Sequence, residues 1–347
     1  MNDHPGAAVR HTGRNPISGT PEAPGPAVWT EDRSPEERVL THPLFGEPNI
    51  RTPPGVEAYH AGKRRMLDGI AGFCVLGDPG MGRRGVLKMM RGYLSQEFPR
   101  LAVIEHVLSR HALMTPSAVL SSLLVSAGHS VVGGSRIAQL QRLLNLQEEK
   151  ALISGAPLSV VILHNAEYVN EVVCETLLDL HDGLRLHGIR PFTISGALLD
   201  PFVTRMSQLA GSLHVTELRS VFGSVHYLRF LEGIEDYTAV LAEIDTLLVG
   251  HPNPTTWTEA LLPLAYRGGF RLTSQAPALH AGVVSQVPTG RFPVRDLFDV
   301  VRQVLAMAAS LDSPEFEIPP DSWAEAVRIV MGIGIAYLPG VSSAGLG

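Results

Sequence analysis

Lysine is almost missing from this chain. Of 28 basic residues, only Lys63, Lys88 and Lys150 are lysine, the pattern of a GC-rich coding sequence in which Arg replaces Lys wherever the chemistry allows. Cysteine is scarcer still, and Cys74 and Cys174 both lie in apolar runs. A single bridge would add little to a core of this size, so the pair reads as buried thiols of a reducing compartment. No apolar run reaches the ~18 residues of a membrane span, and no charged start leads into an apolar leader segment. The chain is therefore expected to be cytoplasmic, with no membrane partner. An excess of positive charge is also absent. At a net charge of −6, contact with nucleic acid has to come from a local basic patch and not from the field of the whole molecule.

What is present suffices for one large domain or two small ones: 347 residues, 45% of them hydrophobic. Residues 1–40 carry Pro5, Pro16, Pro21, Pro24 and Pro26 without periodicity and are expected to be a disordered tail. The Gly-rich end, residues 336–347, is expected to be loose. Between them, residues 41–227 alternate strands with helices. Strands are expected at 72–77, 101–109, 158–164, 190–196 and 212–218. Helices are expected from about Val56, from near Gly82, and over 115–128, 135–153, 170–187 and 198–210. Thr115 ahead of Pro116 is the clearest helix start. Strands apolar on both faces predict an α/β fold, a parallel sheet covered on both sides. From 228 to 335 every segment has the 3.6-residue period, which predicts a helical second domain.

The chemistry concentrates in "VLGDPGMGRRGVLKMM", residues 75–90. Gly77, Asp78, Pro79, Gly80, Met81 and Gly82 form a glycine-rich connection from strand to helix. In such a loop, successive backbone N–H groups can curl around phosphate oxygens at a helix N-terminus. A phosphate loop of the form G-x-x-x-x-G-K-[ST] then needs Lys and a hydroxyl. Here Arg83 keeps the charge in a broader planar group, and Arg84 puts a cation where a magnesium-ligating hydroxyl belongs. Two readings stay open: a turn that binds nothing, and a loop that still holds an anion. Arg83, Arg84 and Lys88 crowd a helix start, where each cation is unfavourable by ~0.3–1 kcal/mol unless an anion sits there. That favours the second reading, although Asp78 could serve as the anion.

With the sheet and the helical unit behind it, this loop resembles the AAA+ ATPases, and its details resemble the TniB/TnsC group of transposition ATPases related to phage MuB. "LSVVILHNAE" (158–167) stands where that group has its Walker B strand. "PFTISGALLDPFVTRMSQLA" (191–210) resembles its following strand and helix, and "DYTAVLAEIDTLL" with "LPLAYRGGFRLTSQA" resembles its lid. The resemblance covers roughly residues 42–290. It implies strand order 5-1-4-3-2 with 72–77 in the centre, and ATP as the ligand. It also implies a homo- or hetero-oligomer with DNA, transposase or target-selection proteins as partners. Among site residues it implies Ser195 and Arg271 as sensors of the nucleotide, with Arg205 the nearest substitute for an arginine acting on a neighbouring subunit.

The catalytic letters depart from the pattern. His164 and Asn165 hold the positions of the magnesium-orienting Asp and the water-polarising Glu. An amide cannot accept the proton, and imidazole is a poor ligand for a hard, oxygen-preferring cation. Glu167 is the nearest carboxylate, two residues further on. A zinc site of His164, His181 and His187 lacks supporting spacing, and no metal is expected. The expectation is a protein that binds ATP weakly and without magnesium, or not at all, does not hydrolyse it, and acts through assembly. The alternatives are a working ATPase with an atypical site and a regulatory pseudo-ATPase scaffold unrelated to DNA.

Overall fold

Strands that are apolar on both faces need cover on both sides, and the chain supplies it with helices alternating between the two. The computed structural model describes residues 33–111 and 114–332. Strands β1 (Gly72–Gly77), β2 (Ala102–Val107), β3 (Leu158–His164), β4 (Arg190–Leu198) and β5 (Ser224–Tyr227) form one parallel sheet. The order is β2-β3-β4-β1-β5, as expected, with β1 between β4 and β5. Every residue of β1 and β3 is buried. Phe73, Val75, Val160 and Ile162 pack on one face against α2 (Pro53–Leu67) and α3 (Arg83–Glu97). Cys74, Leu76, Val161 and Leu163 pack on the other. There they meet α4 (Pro116–Ser126), α5 (Arg136–Ser154), α6 (Glu171–Leu186), α7 (Leu199–Leu209) and α8 (Val215–Phe222). Both cysteines are free and buried, and burial pushes each thiol up to about 12.

Beyond β5 the chain builds a helical lid. It comprises α9 (Gly233–Thr246), α10 (Trp257–Leu261), α11 (Pro263–Arg267), α12 (Ala276–Gln286), α13 (Val294–Ala309) and α14 (Pro320–Gly332). Its core gathers Tyr237, Leu241, Leu279, Leu297, Val301 and Trp323, and it also takes Leu44 and Ile50 from the segment ahead of α2. That segment precedes the sheet in sequence but packs with the lid, so it lies over the junction between the two units.

Three expectations need correction. Residues 212–218 are not the fifth strand: α8 begins at Val215, opened by a capping box between His214 and Glu217. The strand comes later, as β5, pairing Ser224 beside Phe73. Second, the lid contains a small hairpin, β6 (Leu248–Val249) with β7 (Thr255–Thr256). Third, the end of the expected tail is ordered. Residues 1–32 lie outside the described residues, but α1 (Pro35–Thr41) starts with a Ser34/Glu37 capping box. Its buried Arg38 pairs with Asp312 at 3.1 Å. The expected loose end, 336–347, lies outside the described residues.

Candidate functional site

The central strand carries the chain to the C-terminal edge of the sheet, and residues 78–82 turn it from β1 into α3. Gly80 (φ 88°) and Gly82 (φ 79°) adopt the left-handed conformation, which a side chain with a Cβ enters at a cost. Met81 is the anchor. It is buried among Phe73, Val75 and Leu87, and its N–H donates to the Asp78 carbonyl at 3.2 Å. Asp78 itself is exposed and does not line the cleft described below. No side chain caps α3. Its first-turn amides, which have no intrahelical partner, and the positive end of its dipole are therefore left to whatever occupies the cleft.

The lid is seated on this loop. The Arg295 N–H donates to the Gly80 carbonyl at 2.9 Å, and a Cβ on Gly82 would stand 3.3 Å from Val294. Between loop, lid and the ends of β2 and β3 lies a cleft of about 820 Å³. Among the described residues, Arg83, Arg84, Arg110, Arg295 and Arg302 line it, against two carboxylates, Glu47 and Glu167. A smaller pocket of about 170 Å³ adjoins it, with Pro48, Ile50, Val86, Met89, Val294 and Phe298 in its wall. A mainly apolar slot that shares Arg295 and Arg302 with the cationic cleft suits a planar base with an anionic tail.

Arg83 does not extend freely into that cleft. Its Nη1 donates to the Gly77 carbonyl at 3.3 Å, and its Nη2 lies 3.6 Å from Glu167 Oε1. Burial pushes the Arg83 pKa down, and the Glu167 charge opposes that shift. The second Glu167 oxygen accepts the Leu198 N–H at 3.2 Å, at the end of β4. Glu167 is thus in contact with the loop. Arg84 is exposed, with no hydrogen-bond or ion-pair partner among the described residues. The neighbouring Lys88 pairs with Glu47 at 3.0 Å.

The two Walker B positions are both engaged within the protein. His164, buried at the end of β3, places Nε2 2.8 Å from Glu105 Oε1, and Glu105 also pairs with Arg91. Asn165 lines the cleft, but its Nδ2 donates to the Leu108 carbonyl at 3.1 Å. His181 bonds Thr193 at 2.9 Å and His187 bonds Glu148 at 2.8 Å. Among the described residues, no group of three or more potential metal ligands exists.

The two residues expected to act as sensors lie elsewhere. Ser195 is fully buried inside β4, beside Cys74 in the register, with Oγ 3.5 Å from the Phe73 carbonyl. β4 runs on to Leu198, so Ser195 is not at the strand's end. Arg271 stacks on the Tyr266 ring at 3.7 Å and donates to the Tyr266 and Phe270 carbonyls. It does not line the cleft; Arg295 and Arg302, on α13, do. Arg205 bonds Gln208 at 3.1 Å on exposed α7 surface. Sequence reading missed Arg110, Arg295 and Arg302. Pro293 just before α13 was a signal for the last two, since it marks a helix start that a lid could point at the loop.

No protein-family model matches the chain, and no curated protein matches it. Solved structures do. Cdc6p from Pyrobaculum aerophilum is similar at TM-score 0.50 and 14% identity, over 86% of this chain and 72% of that one. Domain III of the Thermotoga maritima replication initiation protein DnaA aligns at TM-score 0.40 and 13% identity, over 88% and 98%. Drosophila ORC bound to DNA aligns at TM-score 0.44 and 12% identity, over 94% and 70%. Identities this low concern the fold. With its five-stranded parallel sheet, a glycine loop after the central strand and a helical lid behind, the chain has the fold of the AAA+ P-loop NTPases.

Proposed function

We propose that this chain is a degenerate protein of the TniB/TnsC type. It binds a nucleoside triphosphate weakly and without a metal, does not hydrolyse it, and works by assembling with DNA, transposase or target-selection partners. The observation that carries the reading is the Arg83–Glu167 contact at 3.6 Å. A general base has to meet a water with its charge available. Glu167, the carboxylate nearest in sequence to the catalytic position, instead neutralises the loop's own cation and holds the end of β4. His164 and Asn165 are tied to Glu105 and Leu108.

The residues fit phosphate and do not fit magnesium. Gly80 and Gly82 leave the loop without side chains on its inner turn, α3 is uncapped, and five arginines surround the space. A bound nucleotide would supply the anion that this cluster of cations lacks. The magnesium-ligating hydroxyl has become Arg84, and fixed guanidinium charge takes over the neutralising role of the ion. Support for a DNA partner is the resemblance itself together with Arg64 and Arg65, exposed near the end of α2. Turnover of ATP with magnesium, measured with and without DNA, tests the reading. Background rates in both are expected, and stimulated hydrolysis would establish the working ATPase instead.

A further inference from the structure

We infer that Arg110 binds the terminal phosphate of a metal-free nucleoside triphosphate, and that the turn after β3 serves as its mount. The inference rests on nucleotide binding in the cleft as proposed above. Arg110 lies in the connection from β2 to α4. Both backbone groups of Leu108, two residues earlier, are fixed by the end of β3: its N–H donates to the His164 carbonyl at 3.1 Å, and its carbonyl accepts Asn165 Nδ2 at 3.1 Å. Asn165 makes that bond from φ 57°, the left-handed region in which Asn is among the best tolerated residues. Arg110 Nε then donates to the Tyr168 hydroxyl at 2.9 Å, with the guanidinium carbon 6.0 Å from the ring centroid. Tyr168 closes the short 3₁₀ turn Ala166–Tyr168, which also carries Glu167. Residues at and after the former Walker B positions thus hold the Arg110 loop from three sides.

The bond to Tyr168 uses Nε and leaves the two terminal nitrogens, the pair that grips a phosphate in bidentate fashion. Charge pairing points the same way. Of the five cleft arginines, Arg83, Arg295 and Arg302 are paired with Glu167, Asp296 and Asp299. Arg84 and Arg110 make no ion pair within 4 Å of a carboxylate among the described residues, and Arg84 acts on Glu47 only at longer range.

Position completes the argument. The smaller pocket shares Pro48, Arg295, Arg302 and, at the α3 start, Gly82 and Gly85 with the cleft, but touches none of residues 107–110 or 165–168. The first turn of α3 is thus common to pocket and cleft, whereas Arg110 lines the cleft alone. A nucleotide that fills the pocket and sets its inner phosphates on that turn offers its outermost phosphate to Arg110. Triphosphate is then distinguished from diphosphate by a side chain, without a metal.

The test is calorimetric titration of ATP and of ADP, in EDTA, onto the full-length protein and onto Arg110→Ala and Tyr168→Phe. Arg110 is exposed, so its replacement should leave the thermal unfolding midpoint unchanged. The unmodified protein should bind ATP at least tenfold more tightly than ADP. Arg110→Ala should bring ATP down to the ADP level while ADP affinity stays the same. Tyr168→Phe should lower the ATP preference a few-fold and leave ADP alone. If Arg110→Ala keeps the original preference, or weakens both ligands equally, the inference is overturned while nucleotide binding stands. If the unmodified protein binds neither ligand, both fall.

Discussion

Replacing Glu167 by Gln removes one charge from the floor of the cleft while keeping its shape. The Gln oxygen can still accept the Leu198 N–H that Glu167 now holds at 3.2 Å, so the change isolates the ion pair. At the 3.6 Å separation from Arg83, an effective dielectric of ~20 gives a gross attraction of about 4–5 kcal/mol. Desolvation of two largely buried groups offsets part of it, and the net loss of stability should be about 3 kcal/mol, the low end for a buried pair that loses one partner. Arg83 would then be a largely buried cation without a counter-charge. An anionic ligand becomes its best partner. Glu167→Gln should therefore unfold at lower denaturant with an unchanged slope, yet bind ATP about tenfold more tightly in EDTA, a gain of ~1.4 kcal/mol. Equal or weaker ATP affinity would refute this reasoning. Magnesium-dependent turnover that the variant loses would make Glu167 a catalytic base.

Other perturbations have equally definite outcomes. Gly82→Ala forces a Cβ into the left-handed conformation and to 3.3 Å from Val294. It should lower stability by about 1–2 kcal/mol and weaken ATP binding in EDTA, and calorimetry with intact affinity would contradict the loop's assignment. His42 and His181 are buried, and burial lowers both to about 4. Because the folded values lie below the unfolded ~6.5, their stabilising contribution is complete above that pH and is lost as pH falls from 6.5 through 4. On the order of 2 kcal/mol should disappear for each between pH 7 and 5, read from urea midpoints. A midpoint that does not fall would show that these histidines charge freely.

The central strands and the loop were legible because buried parallel strands are written in uninterrupted apolar letters, and β1 and β3 are buried throughout, whereas the sheet order came from the family resemblance. β5 was not legible. It is a four-residue edge strand, half-exposed, while "SLHVTEL" before it offers more apolar residues and was taken for the strand. Its His214/Glu217 cap shows only when both partners are seen to bond. The lid hairpin, two residues on each side, is too short to leave a pattern. Within the site, the altered letters at 83, 84, 164 and 165 were visible at once, but their new partners were not. Glu105 reaches His164, and Tyr168 reaches Arg110, only because β2 lies beside β3. Arg271 was named because the resemblance pointed to it, and Arg295 was missed because arginines in a helical lid look alike in sequence. Only the packing of Val294 and Arg295 on the loop separates them.

The central claim is that the cleft holds a nucleotide with arginine instead of metal and leaves it intact. Calorimetric titration of ATP onto the purified protein, once in EDTA and once in magnesium, tests it most directly. The account predicts saturable heat in EDTA, an affinity that magnesium does not improve and that weakens as salt rises, and no continuing heat after saturation. Binding that appears only with magnesium, or a steady heat of turnover following each addition, would contradict it.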